Sequence, residues 1–170
     1  MSKIILETER LILRESTADD TEAVFEFNSN PEVIRYTGDD LATDISAIRT
    51  FLAGYSDYKK YGYGRWMVIY KPDNKIIGFS GLKYLEYKNA TDLGYRFLPE
   101  YWGKGIATES SKAVIKYAFE KLNLTHLIAF VVPENTNSSK VLEKCGFEYV
   151  GMEKYDETDE DFIKKFILYP

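Results

Sequence analysis

Residues 99–108 read PEYWGKGIAT, with Gly103 and Gly105 on either side of Lys104, aromatics before them and small residues after. A glycine pair serves either a tight turn or a loop whose backbone closes on a ligand, since neither residue carries a Cβ. Upstream, Thr91 to Leu98 alternates as a strand does, with Leu93, Tyr95 and Phe97 on one face and Asp92, Gly94 and Arg96 on the other. Downstream, Ala107, Val114, Ile115, Ala118, Phe119 and Leu122 form an apolar helical stripe running to about Leu122, with Glu109, Lys112, Lys116 and Glu120 facing out. A small-residue loop at a helix N-terminus presents unpaired amides and the positive end of the helix dipole, which suit a phosphate or pyrophosphate. A Rossmann dinucleotide site fits poorly. The strand ends near Leu98 rather than at the first glycine, Thr108 stands in place of the third, and the next acid, Glu134, lies too far on.

Working outward, Thr8 to Arg14 reads as a strand and Glu22 to Asn28 as a helix behind the cap residues Ser16 to Asp20. A second helix is expected from about Asp44 to Tyr58, on Ile45, Ile48, Leu52 and Tyr55. Trp66–Lys71 and Lys75–Leu85 read as a hairpin around Pro72-Asp73-Asn74. Beyond the long helix come a buried strand, Leu127–Val132, a short helix, Ser138–Cys145, closed by Gly146, and a closing antiparallel pair, Phe147–Gly151 and Phe162–Tyr169. The order is that of an α+β domain with one β-α-β unit in its middle.

Composition narrows the function. The 170 residues are 45% hydrophobic and 29% charged, which fits one compact domain over 1–170. No apolar run is long enough to span a bilayer and no leader precedes Leu6, so no membrane partner is expected. A single cysteine, Cys145, excludes an internal disulfide and points to a reducing cytoplasm. With that one cysteine and one histidine, His126, a Cys/His zinc site cannot be built, and no metal is expected. His126 lies at a helix–strand junction, a poor place for a hydrolytic triad, and there is no P-loop. The net charge of −5 disfavours nucleic acid and mildly favours a cationic or amine partner.

The motifs LETERLILR, NPEVIRY, IIGFSGL, LGYRFLPEYWGKGIATE and ENTNSSKVLEKCGF span nearly the whole chain. Together they resemble the GNAT superfamily of acyl-CoA-dependent N-acyltransferases, and the YWGKG form resembles its RimJ/RimL-like branch. That family's pyrophosphate loop is Arg or Gln, two residues, Gly, one residue, then Gly or Ala. Trp102-Gly103-Lys104-Gly105-Ile106-Ala107 matches it with Trp102 at the Arg/Gln position. The resemblance implies a mixed, mostly antiparallel sheet splayed in the middle and flanked by helices. It implies acetyl-CoA as cosubstrate, held by residues 102–108 (Trp102, Gly103, Lys104, Gly105, Ile106, Ala107 and Thr108). Its pantetheine arm would lie between the strands Thr91–Leu98 and Leu127–Val132, with an N–H near Phe97 or Leu98 polarising the thioester carbonyl.

By the same resemblance Asn135 hydrogen-bonds the pantetheine and Ser138 protonates the departing thiolate. The competing reading is that Ser138 or Asn137 only caps the following helix. An amine nucleophile must lose a proton, and Asp92 stands beside the thioester site; it is either that base or an ordinary exposed strand acid. Glu100 and Glu109 flank the loop, and Glu109 suits the first turn of the helix. Tyr55, Tyr58, Tyr61 and Tyr63 could line an acceptor cleft or cover the rim of the core, and the acidic run 156–161 could attract a cation or form a solvated hairpin loop. Two functions follow: an N-acetyltransferase in which a primary amine (a peptide N-terminus or a small amine) attacks acetyl-CoA directly in a ternary complex, or a non-catalytic acyl-CoA-binding module. Assembly, with a homodimer among the options, is left open.

Overall fold

The computed structural model describes residues 2–170. Eight strands make one sheet: β1 (Ile4–Glu7), β2 (Leu11–Arg14), β3 (Arg65–Tyr70), β4 (Lys75–Leu85), β5 (Ala90–Phe97), β6 (Leu127–Val131), β7 (Glu148–Glu153) and β8 (Ile163–Leu168). Their spatial order is β1-β2-β3-β4-β5-β6-β8-β7. All neighbours are antiparallel except β5 and β6, which run parallel. Six α-helices complete the fold: α1 (Thr21–Asn28), α2 (Pro31–Ile34), α3 (Ile45–Ala53), α4 (Asp57–Tyr61), α5 (Ile106–Glu120) and α6 (Thr136–Lys144). None of the described helices is long and apolar enough to cross a membrane.

The helices take opposite faces, and side-chain alternation along β3 and β4 sets which. Trp66 packs edge-on against Tyr117 of α5, with ring centroids 5.6 Å apart. Its neighbour Met67 is paired with Phe79, which meets Phe27 of α1 on the other face. On the α5 side Ile106, Val114 and Ala118 are buried against Leu82, Leu93 and Leu127. Each fully buried aliphatic side chain of this size contributes about 1.5–3 kcal/mol. That burial fixes the N-terminus of α5, and hence the loop before it, to the end of β5.

Three segments depart from the sequence reading, one of them Pro31–Ile34, a short helix capped by Asn30 where no helix is read. The N-terminal strand is a hairpin: Thr8–Arg10 turns the chain, and Ile4–Glu7 pairs back on Leu11–Arg14. The expected helix from Asp44 to Tyr58 is two helices. The Asp44 side chain caps α3, and the chain leaves the helix at Gly54 before Asp57–Tyr61 forms a separate turn ended by left-handed Gly62. Glycine's extra backbone entropy favours the break at Gly54.

Candidate active site

The site begins where the sheet comes apart. β5 and β6 share a single register pair, Asp92 with Ile128, whereas β4 and β5 share eight. Beyond that pair the strands diverge around a cavity of about 80 Å³ lined by Leu93, Gly94, Tyr95, Ala129, Phe130, Val131, Ser138 and Leu142. N–H groups alternate in direction along a strand. Leu98 donates to Ile77 O at 2.9 Å, so its amide belongs to the β4 ladder and turns away from the opening. Of the two expected oxyanion donors, Leu98 is therefore ruled out, and Phe97 has its N–H on the open side. The Phe97 carbonyl accepts from Trp102 Nε1 at 2.8 Å, so the residue at the family's Arg/Gln position closes this end of the opening.

The loop is built from backbone. Gly103 and Gly105 have φ of 71° and 75°, and Gly105 is the N-cap of α5. Such φ values strain any side-chain-bearing residue. The first intrahelical bond runs from Glu109 N to Gly105 O at 2.9 Å, which leaves the amides of Ile106, Ala107 and Thr108 without a partner inside the helix. A Cβ at Gly103 would meet nothing within 4 Å and one at Gly105 only Arg10 Nη2 at 3.6 Å, so the concave side is open for an anion. The Lys104 ammonium sits over the Tyr101 ring, 5.4 Å from its centroid.

Glu109, read as an outward-facing residue of the first turn, instead accepts from Thr8 Oγ1 (2.6 Å), Arg10 N (3.0 Å) and Arg10 Nε (2.7 Å). Burial raises its pKa, but these donors outweigh it and hold the carboxyl below its ordinary value. The interaction clasps the β1–β2 turn to the start of α5. Glu100 is largely exposed, 3.7 Å from Lys75 Nζ.

On the α5 face, Ser138 Oγ lies 2.8 Å from the Tyr95 hydroxyl. Ser138 does not cap α6, and neither does Asn137. The cap is Asn135, whose Oδ1 accepts from Ser138 N at 3.2 Å, which leaves its amide nitrogen as a donor for another partner. Burial pushes the Tyr95 phenol up to about 12, against the pull of its bond to Ser138, so it stays protonated near neutral pH. Tyr95 reads in the sequence as one more apolar residue; its hydroxyl beside Ser138 is legible only in three dimensions.

Asp92 points to the opposite face of β5. It is not an exposed strand acid: it is 4% exposed, and its Oδ2 takes Arg65 Nη2 at 2.5 Å. Burial raises its pKa against the opposing pull of Arg65. Asp92 Oδ1 accepts no hydrogen bond from a described residue. The tyrosines cover the rim of the core and their hydroxyls are engaged: Tyr55 accepts from Arg65 N, Tyr58 bonds Ser16 and Arg65 O, Tyr61 bonds Glu86, and Tyr63 bonds Thr91. Residues 156–161 form an exposed loop between β7 and β8, braced by Asp156 accepting from Thr158. His126 is a junction residue beside Thr125.

The comparisons with known proteins agree with this geometry. The family model described as "Acetyltransferase (GNAT) domain" matches residues 10–148. An uncharacterized N-acetyltransferase of Bacillus subtilis, YoaA, is 39% identical over 153 residues, covering 87% of this chain and 85% of its own. The crystal structure of a GNAT-family acetyltransferase from Bacillus anthracis superposes with a TM-score of 0.77 at 29% identity, over 95% of each chain. At 20% identity, a Vibrio cholerae spermidine N-acetyltransferase solved with CoA and spermine shares the fold, with a TM-score of 0.75 over 95% of this chain and 96% of its own. An eight-stranded sheet opened between β5 and β6, a backbone-lined loop at the mouth of that opening and a family match over most of the sequence lead to one conclusion: the chain belongs to the GNAT family and is an N-acetyltransferase.

Proposed function

We propose that this enzyme transfers the acetyl group of acetyl-CoA to a primary amine, a peptide N-terminus or a small amine, by direct attack in a ternary complex, as a RimJ/RimL-like member of its family. The observation that carries the reading is the placement of Asp92 and the Tyr95–Ser138 pair on opposite faces of β5, where the sheet opens. An acyl transfer needs a proton acceptor where the nucleophile arrives and a proton donor where the thiol leaves.

The roles follow. Amides of residues 102–108 and the dipole of α5 hold the pyrophosphate, and the pantetheine lies along the open edge of β5, with the Asn135 amide nitrogen as a donor to it. Phe97 N–H receives the developing oxyanion. The amine lone pair forms the new C–N bond, and its surplus proton passes to Asp92, directly or through water. The C–S bond then breaks, and the thiolate takes a proton from Ser138, backed by the Tyr95 phenol. Burial raises the Asp92 pKa against the opposing pull of Arg65, which makes its anion a stronger base than an exposed carboxylate. Support for an amine acceptor comes from the net charge of −5 and from the polyamine acetylated by the Vibrio cholerae structural neighbour.

The test is thiol release from acetyl-CoA across peptides with varied N-termini, polyamines and amino acids, with mass spectrometry of the enzyme. Turnover with at least one primary amine and no acetylated enzyme from acetyl-CoA alone is expected. An acetyl-enzyme that hands its group on to an amine would overturn direct attack, and turnover with hydroxyl acceptors alone would overturn the acceptor class.

A further inference from the structure

Three residues in one row across the sheet are Arg65 on β3, Gly81 on β4 and Gly94 on β5, since Arg65 is paired with Gly81 and Gly81 with Gly94. Glycine in the middle of two adjacent strands weakens a sheet unless something needs the space. Over Gly94 the Arg65 side chain occupies it, and at Gly81 the backbone of residues 64–66 does. A Cβ built on Gly94 would fall 2.6 Å from Arg65 Nη2, and one on Gly81 would collide with the backbone at Gly64 O, 2.3 Å away. The guanidinium lies across the row, donating from Nη1 to Gly81 O (2.8 Å) and Asp92 O (3.2 Å) and from Nη2 to Asp92 Oδ2. The backbone of Arg65 is itself pinned, its N–H by the Tyr55 hydroxyl and its carbonyl by that of Tyr58.

We propose that Arg65 is a positioning residue for the acceptor half of the reaction: laid over Gly94, it keeps Asp92 an anion and fixes its Oδ2, so that Oδ1 alone receives the proton of the amine. This rests on the reading of Asp92 as proton acceptor. A carboxylate this buried is costly unless paired, and Arg65 is its only ion-pair partner among the described residues. The other charged or titratable groups facing Asp92 are Lys83, paired with it on β4, and Tyr87 and Tyr155 beyond the strand ends. Fixing one carboxylate oxygen also restricts rotation of the other, which is how a base is held on line with its proton.

The test reads the acid limb of kcat/KM against pH. Loss of an opposite charge at this distance moves a carboxyl pKa by about 1–3 units. Arg65→Gln is therefore expected to shift the acid limb upward by about that amount, lowering kcat/KM on the acid side of the limb by about 10-fold or more and recovering as pH rises. Acetyl-CoA affinity stays unchanged. Arg65→Lys, which keeps a charge, brings the limb part of the way back. Gly94→Ala leaves Arg65 in the chain but takes its space, so it shifts the limb in the same direction and keeps the proposal testable if Arg65→Gln does not fold. A wild-type acid limb in folded Arg65→Gln or Gly94→Ala, with only thermal stability lowered, would overturn the positioning role. Asp92→Asn separates the two readings. If Asp92→Asn is fully active, the proton acceptor is elsewhere and both readings fall. If it is inactive while Arg65→Gln keeps the wild-type profile, only the positioning role falls.

Discussion

The two ends of the site along β5 are made of different materials. Past Phe97, the end proposed for the cosubstrate consists of backbone: two left-handed glycines, the free amides of α5 and one indole N–H on the Phe97 carbonyl. In mid-strand, the end proposed for the chemistry consists of side chains gathered from three elements, Arg65 from β3, Asp92 and Tyr95 from β5 and Ser138 from α6. A backbone site tolerates changes of side chain but not the addition of a Cβ. A side-chain site tolerates neither a lost functional group nor a slip in register. The contrast can be tested one substitution at a time.

The largest effect on cosubstrate affinity is expected at Gly105. Gly105→Val imposes a branched side chain at φ 75° and fills the space for phosphate oxygens, so acetyl-CoA affinity should fall by roughly 100-fold or more, about what losing one or two charge-assisted hydrogen bonds costs. Its neighbour Lys104, engaged with Tyr101, should matter far less: Lys104→Ala should change affinity by no more than a few-fold. Calorimetry that ranked the two in reverse would make this end a side-chain site.

Next comes Ser138. Because Asn135 caps α6, Ser138→Ala should leave the helix capped and lose only the bond to Tyr95, while kcat falls by about 10²–10⁴, with acetyl-CoA affinity preserved. A residual rate near the upper end would mean that Tyr95 donates directly. Asn135→Ala should do the converse to stability, costing about 0.5–2 kcal/mol in equilibrium unfolding. A destabilised Ser138→Ala beside a stable Asn135→Ala would exchange their roles.

The smallest effect sharpens the boundary between the two ends. The folded-state pKa of Glu109 is depressed, so its clasp on Thr8 and Arg10 stabilises the protein above the ordinary carboxylate pKa, and that contribution is lost as pH falls through the folded value. Glu109→Gln should lower stability at pH 7 by about 1–2 kcal/mol, the worth of a charge-assisted bond, and the gap to wild type should close in acid. A gap that persisted at low pH would mean that packing, not charge, makes the clasp.

The backbone end was legible in the sequence because glycine spacing is local: Gly103, Gly105 and the apolar stripe of α5 lie within one short stretch. The side-chain end was only half legible. Asp92 and Ser138 stand out by type and motif. The pairing of Asp92 with Arg65 depends on Gly81 and Gly94 lining up across three strands, which no single-chain pattern reveals. Tyr95 alternates like a core residue and was read as one. Residues 135–138 are all cap-forming types, so propensity could not choose Asn135 among them. Ile4–Glu7 is illegible because four residues at the chain's start are too few to show a period, and a single helix from Asp44 reads too long because Tyr55 and Tyr58 continue the apolar spacing of α3 beyond Gly54.

The lone pair of residues joining β5 to β6 has a mechanical consequence. The sheet is two plates, β1–β5 and β6–β8–β7, riveted at Asp92 and Ile128, and each plate carries a raw edge of unbonded amides facing the other. Tyr95 belongs to one plate, and Ser138 sits on α6, which packs on both α5 and β6 and so spans the seam. In the proposed mode an extended cosubstrate lying in the seam would bond both edges as the absent ninth strand, and would hold proton donor and thioester in alignment only while it is there. At a concentration 100 times its dissociation constant, it would add about 2.7 kcal/mol to the stability of the whole. Amide exchange along the seam sides of β5 and β6 should slow on addition of acetyl-CoA, while the β2–β3 ladder, far from the seam, changes little beyond the global gain.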